Sequence, residues 1–310
     1  MKSFTITQRE SGLTAIKYCK KVCHNIPDSL LHKYFRKKRI KINGKRRQEN
    51  TVLNSGDLIR LYINDELFGE KPVKKADKQA KLDIVYEDDN IIIVYKPRGL
   101  LCHSDNKNQA NLIDSIITYL TDKSEYSADN VNAFTPSLCN RIDQGTEGLV
   151  IAAKNYIALA EMNNVIKSRI LEKKYLCVTQ GKIKDGIYSA FLTRDKLSKK
   201  VTVSPAPSVD SKEIITGFET IDVKGGYSLV ECSLITGRTH QIRAHMAFLG
   251  SPISGDRKYG KAENGLKSQL LCAYKLSFGQ IPPEYTVSYL SGKEFNLKDN
   301  SVKKFFDNLK

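Results

Sequence analysis

The segment from residue 137 to residue 154 constrains the fold more than any other part of this chain. It places Arg141 and Asp143 on either side of one apolar residue, and a turn with two glycines follows. The chain then enters an apolar stretch over 149–153, which predicts a buried strand. An aspartate held where a loop meets a buried strand is rigid and partly shielded from water, and both conditions suit a catalytic carboxylate. An aspartate that merely caps a turn is the plain alternative.

Positive charge is concentrated at the start of the chain. The 310 residues include 50 Lys and Arg against 34 Asp and Glu, a net charge of +16. Residues 1–63 hold 15 basic and 4 acidic side chains, and this surplus predicts a polyanionic partner. No apolar run approaches the roughly 20 residues of a membrane-spanning helix, and the first residues lack the apolar core of a secretion signal. We therefore expect a soluble cytoplasmic protein that binds nucleic acid and no membrane.

The seven cysteines are scattered and form no Cys-x-x-Cys pair. Most lie in apolar surroundings, where a free cysteine behaves as a small hydrophobic residue. Cys19, Cys23 and His24 are close in sequence, but no second pair of metal ligands follows them, so a zinc site is not expected. The pattern favours reduced thiols and no metal.

Residues 12–63 have the pattern of a small basic module. Apolar residues at helical spacing predict two short helices separated at 25–27, and Asn43-Gly44 predicts a tight hairpin turn before a last strand over 58–63. Eight Lys and Arg fall within residues 36–47, more than solubility requires. The residues expected to contact RNA are Arg36, Lys37, Lys38, Arg39, Lys45 and Arg46.

This segment resembles the αL-type RNA-binding module first seen in a small-subunit ribosomal protein. The resemblance rests on 29–42 as helix then strand, on Asn43-Gly44-Lys45, and on Leu53-x-x-Gly56-Asp57 before the last strand. It implies that residues 1–63 form an RNA-binding module. Residues 64–82 are polar and Lys-rich and predict a linker, and a larger domain is expected over 83–310.

The larger domain is predicted to be α+β with a mainly antiparallel, mixed sheet, because strands outnumber helices and do not alternate regularly with them. The small module before it is also expected to be α+β. The predicted strands of the larger domain cover 82–87, 91–95, 149–153, 174–180 and 227–235. The predicted helices cover 109–120, 156–168 and 239–249.

Three further motifs accompany Asp143. Tyr175 lies in a predicted strand, and residues 236–246 read Thr-Gly-Arg-Thr-His-Gln-Ile-Arg-Ala-His-Met before a turn-rich stretch over 252–260. His240 and His245 are five residues apart and lack an accompanying set of acidic ligands, so both are expected to be structural. Lys96-Pro97-x-Gly99 lacks the glycines of a phosphate loop and predicts a tight turn that supports the site.

In this combination the chain resembles the RluA-type pseudouridine synthases, which modify large-subunit ribosomal RNA and some transfer RNAs. The family reads His-Arg-Leu-Asp, two variable residues, then Thr-Ser-Gly-Leu, and this chain has Asn-Arg-Ile-Asp-Gln-Gly-Thr-Glu-Gly-Leu over 140–149. Asn140 and Glu147 are the departures. Glu147 is expected to add negative charge near Asp143 and thereby to affect rate and substrate choice.

The resemblance implies an isomerisation of uridine without a cofactor, in which Asp143 acts as nucleophile or general base. Arg243 matches the arginine that pairs with this aspartate, and Tyr175 matches the tyrosine that lies against the target base. A phosphate contact for Arg243 and a core position for Tyr175 are the alternatives. Arg141 is expected to enter the RNA stack or hold phosphate once the uridine is flipped out. Ile242 is expected either beneath the base or in the core.

The sequence therefore predicts an RNA uridine isomerase, most simply a monomer, that acts on structured RNA. Large-subunit ribosomal RNA is favoured and transfer RNA is the second choice. A non-catalytic RNA-binding or ribosome-assembly factor on the same fold is the main alternative. A nucleic-acid hydrolase would require clustered carboxylates that hold metal ions, and the sequence shows no such cluster beside Asp143.

Overall fold

A computed structural model describes residues 1–23, 26–63, 82–104, 109–127, 134–195, 200–263 and 265–309. The predicted linker over 64–82 lies outside the described residues except at its last position, and His24 also lies outside them. The division of the chain into a module, a linker and a larger domain therefore stays a prediction.

A four-stranded antiparallel sheet and two helices form the N-terminal part. The strand order is β1 (Lys2–Thr5), β4 (Leu58–Leu61), β2 (Ile40–Ile42) and β3 (Lys45–Arg46), and the helices are α1 (Ala15–Val22) and α2 (Asp28–Arg36). The core between sheet and helices includes Tyr18 and Leu31, which are fully buried. Asn43 and Gly44 both have positive φ, at 50° and 75°, as a two-residue type I′ hairpin turn requires.

Within the described residues, eleven strands form a second, larger sheet. Its strands are β5 (Asp83–Glu87), β6 (Ile91–Lys96), β7 (Ser137–Leu138), β8 (Glu147–Ala153), β9 (Leu171–Gln180), β10 (Gly186–Arg194), β11 (Val201–Ser204), β12 (Lys212–Lys224), β13 (Tyr227–Leu234), β14 (Leu271–Phe278) and β15 (Glu294–Asn296). The order is β11-β10-β12-β13-β9-β14-β8-β6-β5, with β15 beside β14 and β7 beside β8. Among these pairs β8 and β14 run parallel and the others antiparallel.

Four helices accompany this sheet in the described part of the chain: α3 (Leu112–Asp122), α4 (Tyr156–Lys167), α5 (Gln241–Phe248) and α6 (Ser301–Asp307). The centre of the sheet is buried on both faces. Alternate residues of β8, such as Val150 and Leu149, enter two different apolar clusters, one that includes Ile116 of α3 and one that includes Met162 of α4. This two-sided burial explains why 149–153 is apolar at every position.

The start of β8 is held against β14 by an unusually close backbone approach. Gly148 has φ of 131°, and a Cβ built there would lie 2.3 Å from the carbonyl oxygen of Ala273. Only glycine fits such a contact. The loop that carries Asp143 therefore enters the sheet at a fixed position.

The predicted α+β class and mainly antiparallel sheet are confirmed. The five predicted strands correspond to β5, β6, β8, β9 and β13, and the three predicted helices to α3, α4 and α5, with ends shifted by a few residues. Strands β7, β10, β11, β12, β14 and β15 and helix α6 were not predicted.

Candidate active site

Asn140 attaches the Asp143 loop to the strand that follows it. The side-chain oxygen of Asn140 accepts a hydrogen bond of 2.8 Å from the backbone N–H of Ile151, and its amide nitrogen donates to the carbonyl of Leu149 at 3.4 Å. The family's usual histidine is thus replaced by a residue with a structural hydrogen bond. This departure therefore gives the loop a side-chain attachment to β8.

The turn at 96–100 supports the same loop from the other side. Lys96 is fully buried, and its Nζ donates to the carbonyl oxygens of Leu100 at 2.7 Å, Pro97 at 3.0 Å and Gln144 at 3.3 Å. The N–H of Gly99 also donates to the Gln144 carbonyl at 2.8 Å. Burial lowers the pKa of Lys96 to about 8. The predicted supporting turn is therefore confirmed.

Arg243, in the first turn of α5, connects two carboxylates. Its Nη1 donates to Oδ2 of Asp143 at 2.7 Å, while its Nε and Nη2 donate to the two oxygens of Asp256 at 2.7 and 2.9 Å. Asp256 is fully buried, whereas the Asp143 side chain is 24% exposed. Asp256 thus holds the guanidinium with two parallel bonds, and the remaining nitrogen is presented to Asp143.

The electrostatics of this trio keep Arg243 charged and favour the ionised form of Asp256. Burial lowers the pKa of Arg243, but its bonds to Asp256 and Asp143 more than offset burial, and the net pKa is raised. Burial raises the pKa of Asp256, but the hydrogen bonds from Arg243 hold it below its ordinary value. The guanidinium of Arg243 therefore places a positive charge next to the carboxyl group of Asp143.

Tyr175 lies in β9, near the centre of the large sheet, opposite Cys232 of β13 and Ala273 of β14. Its side chain is 7% exposed and lines the same cleft as Asp143. Burial, followed by the charge of Asp143, raises the pKa of Tyr175 above its ordinary value. The hydroxyl group is therefore protonated at neutral pH and can donate a hydrogen bond.

The structure brings five of the predicted site residues into one cleft of about 960 Å³, named here the Asp143 cleft. They are Asp143, Tyr175, Arg243, Arg141 and Ile242. Arg141 is exposed, and Ile242 is 4% exposed and also belongs to the apolar core. Ile242 therefore has the predicted core position and also lines the cleft, while its place beneath the base stays a prediction.

The six predicted RNA-contacting residues do not line the Asp143 cleft. Arg36, Lys37, Lys38, Arg39, Lys45 and Arg46 are all exposed and lie at the end of α2, in the segment that follows it and in the β2–β3 hairpin. Lys38 has φ of 62° and ends the helix. The second set of predicted residues thus forms a separate basic surface on the N-terminal sheet.

His240 was predicted to be structural, but in the structure it lines the Asp143 cleft. His240 precedes α5 with φ of 56°, its Nε2 lies 3.8 Å from Oδ2 of Asp143, and its Nδ1 lies 2.7 Å from the hydroxyl of Tyr259. Burial lowers its pKa. His245 does have a structural position, since it is fully buried with Nδ1 3.0 Å from the hydroxyl of Thr216.

Asp256 was also missed, although it lies in the turn-rich stretch over 252–260 that accompanies the other motifs. The sequence signal for Asp256 was a carboxylate that lies in a predicted turn and has no predicted role. Its pairing with Arg243 joins two residues that are 13 positions apart in the sequence. The sequence indicated that Asp143 needs a cationic partner, but not which residue would orient that cation.

Glu147 does not have the expected effect as an added charge in the cleft. Its side chain is 2% exposed and does not line the Asp143 cleft. Oε1 accepts from the N–H and hydroxyl of Ser301 at 2.9 and 2.8 Å, and Oε2 accepts from the Tyr95 hydroxyl at 3.0 Å. Arg98 lies 3.7 Å away. The glutamate therefore attaches the start of α6 to β8.

No group of three or more His, Cys, Asp and Glu side chains that could hold a metal ion occurs among the described residues. Cys19 and Cys23 are buried, and burial raises the pKa of both thiols. Across the same residues, no helix has the length and apolar character needed to cross a membrane.

Comparison with known proteins identifies the family. Residues 90–248 match the family model described as RNA pseudouridylate synthase. The chain belongs to this family. It is an RNA pseudouridine synthase, an isomerase that converts uridine to pseudouridine in RNA. The matched residues include the Asp143 loop, Tyr175 and α5.

Several relatives of this RNA pseudouridine synthase cover almost its whole length. An uncharacterized RNA pseudouridine synthase of Mycoplasma capricolum is 32% identical over 94% of this chain and 96% of its own. Ribosomal large subunit pseudouridine synthase C of Rickettsia prowazekii is 29% identical over 91% of both chains. The solved structure of human RNA pseudouridylate synthase domain containing 4 covers 66% of this chain and 91% of its own, with a TM-score of 0.54 and 22% identity, which supports the fold.

Proposed function

We propose that this RNA pseudouridine synthase modifies large-subunit ribosomal RNA in the cytoplasm and uses Asp143 as its reacting carboxylate. The observation that carries the proposal is the shared arginine, because Arg243 is fixed by Asp256 and positions Asp143 within the cleft that Tyr175 lines. Oδ2 of Asp143 faces Arg243 and His240, while Oδ1 has no hydrogen-bond partner among the described residues. This oxygen is available to a substrate.

The reaction breaks the bond between ribose C1′ and N1 of uracil and forms a bond between C1′ and C5. The proton that C5 loses is balanced by the proton that N1 carries in the product, so the composition is unchanged. A carboxylate can attack the sugar or remove a proton, and either role requires an ionised group in a water-poor cleft. Asp143 lines a cleft and has the guanidinium of Arg243 beside it, and this arrangement supports either role.

The other cleft residues have positions suited to a flipped-out uridine. The ring of Tyr175 can stack on the base, an interaction worth about 1–3 kcal/mol per base. Arg141 is exposed on the Asp143 loop and can take the place of the extruded base or bind a phosphate. Ile242 supplies an apolar surface beside them.

Two observations support ribosomal RNA as the substrate. Relatives that match over most of this chain are named for the large ribosomal subunit, and the basic surface at residues 36–46 offers exposed charges for phosphate contacts. Transfer RNA is the second candidate, because the same contacts suit any structured RNA.

The decisive experiment is a pseudouridine map of total RNA from cells with and without the gene, read by carbodiimide-dependent stops of reverse transcription. We expect one or a few sites in large-subunit ribosomal RNA to disappear and to return with the wild-type gene. Asp143→Asn should not restore them, yet should bind RNA as the wild type does. Asp122→Asn, an exposed aspartate at the end of α3, is the matched control and should restore every site.

A protein that binds RNA without turnover is the alternative. Its signature would be an unchanged map together with purified protein that is inactive on ribosomal and transfer RNA. A chelator provides a further check, because a metal-dependent hydrolase would lose activity. We expect the isomerase to keep its full rate in the presence of the chelator.

A further inference from the structure

A second cleft of about 870 Å³ adjoins the Asp143 cleft. It lies between the end of α4, the start of β9, the end of β13 and the end of β14, and is named here the Arg169 cleft. The two clefts share the residues Ile166, Lys173, Leu234, Gly237 and Arg238. They are therefore continuous, and Lys173 and Arg238 stand where they meet.

The Arg169 cleft is strongly basic. Its lining includes Lys167, Arg169, Lys173 and Arg238, and Glu172 is the only carboxylate among its described lining residues. Lys167, Arg169 and Arg238 are exposed, and the structure shows no ion pair for their side chains with any described residue. Such a concentration of unpaired cations in a concave surface attracts a polyanion.

Lys173 is the most unusual of these residues. Strand alternation directs Lys174 to the opposite face of β9, where it pairs with Glu231 at 2.5 Å, and leaves Lys173 on the side of Tyr175. A Cβ built on Gly237 would lie 3.9 Å from Nζ of Lys173, so this nitrogen is close to the Gly237 backbone. Among the described residues, Nζ has no carboxylate or hydrogen-bond partner. Burial lowers the pKa of Lys173.

We propose that Lys173 binds a backbone phosphate next to the target uridine, and that the RNA strand continues from there into the Arg169 cleft. A half-buried cation without a partner is costly in the free protein and gains most from an anionic ligand. Lys173 is two residues from Tyr175 on the same face of β9, so a nucleotide stacked on Tyr175 brings its phosphates close to Nζ. The inference rests on the proposed uridine site and extends it to the flanking strand.

The test measures how salt affects binding of a short oligouridylate to the full-length protein. The residues replaced first by Gln are Arg36, Lys37, Lys38, Arg39, Lys45 and Arg46, so that binding to the two clefts makes a larger share of the total. In this background Lys173→Met and Arg169→Met are each compared with the parent. Each lost phosphate contact should lower the slope of log K against log salt by about 0.7 for a single strand, and weaken binding roughly tenfold.

Two controls make the result specific. Lys173→Arg keeps the charge and should restore the slope. Lys182→Met removes an exposed lysine just beyond the other end of β9 and should change nothing. An unchanged slope for Lys173→Met would overturn the proposal, and an unchanged slope for Arg169→Met would overturn the path into the Arg169 cleft.

The outcomes also separate this inference from the proposed function. If the wild-type protein makes no pseudouridine while Lys173→Met still lowers the salt slope, the proposed reaction is contradicted and the phosphate site stands. If Lys173→Met leaves the salt slope unchanged while the wild-type gene gives the expected pseudouridine map, only the phosphate site is contradicted.

Discussion

At the scale of single residues, the most informative group is the buried carboxylate of Asp256, which does not line the Asp143 cleft. Asp256 is fully buried and receives hydrogen bonds from Arg243 and from the backbone N–H groups of Lys258 and Tyr259. It sets the direction of the guanidinium that holds Asp143. Asp256 is therefore a positioning residue.

We expect Asp256→Asn to lower kcat about 100-fold, because a misplaced reacting group costs this much, while the affinity for RNA stays close to that of the wild type. Single-turnover rates and equilibrium binding measure the two effects separately. Thermal unfolding of the variant is needed as a control, since breaking a buried ion pair also lowers stability by about 3–5 kcal/mol. A normal rate in a folded variant would contradict the positioning role.

His245 gives a pH-dependent prediction at the same scale. Burial lowers its pKa from 6.5 to about 4, so between these values the unfolded chain binds a proton that the folded chain does not. The free energy of unfolding should therefore fall as pH drops from 6.5 towards 4, by up to about 3 kcal/mol from this residue. Urea unfolding across this range measures the loss. His245→Asn should lack this part of the pH dependence, and an unchanged slope in that variant would refute the assignment.

At the scale of elements, the Asp143 loop is held by side chains from both of its neighbours. Asn140 connects it to β8, and the Lys96 turn supports the other side. We expect Asn140→Ala to lower the free energy of unfolding by about 1–3 kcal/mol, because the Ile151 N–H is left without its partner. The rate should fall as well.

Asn140→His tests whether the hydrogen bond is what matters. The ring nitrogen of a histidine can accept from the same N–H, and the family's usual residue here is histidine. Stability by chemical denaturation and initial rates on RNA should both stay close to wild-type values in this variant. A loss as large as that of Asn140→Ala would show that the loop depends on some other property of asparagine.

Most of the predicted elements are ones whose burial is visible in a short window, although the largely buried strand β14 was not predicted. Strands β6 and β8 are apolar, and Asp143, Tyr175 and Arg243 lie in or beside such elements. Strands β10 and β12 were missed because they are half-exposed at the side of the sheet, and their polar residues obscure the alternation. The Arg243–Asp256 pair was missed because it depends on how two segments meet in space.

At the scale of the whole molecule, the six basic residues predicted to contact RNA and the candidate active site lie on different sheets. The basic residues at 36–46 are on the N-terminal sheet, while the Asp143 cleft is built on the large sheet. We expect replacement of the six basic residues by Gln to raise KM for ribosomal RNA at least tenfold and to leave kcat nearly unchanged. Steady-state kinetics at several salt concentrations measure this. A fall in kcat at unchanged KM would contradict a docking role.

The attachment of α6 through Glu147 has a consequence for biosynthesis. The carboxylate lies in the interior directly beside the loop of Asp143, and its partner Ser301 is added to the growing chain 154 positions later. A ribosome-bound chain that stops before Ser301 leaves this buried carboxylate without that partner. Strand β8, which follows the Asp143 loop, thus gains this attachment only after residue 301 has been translated.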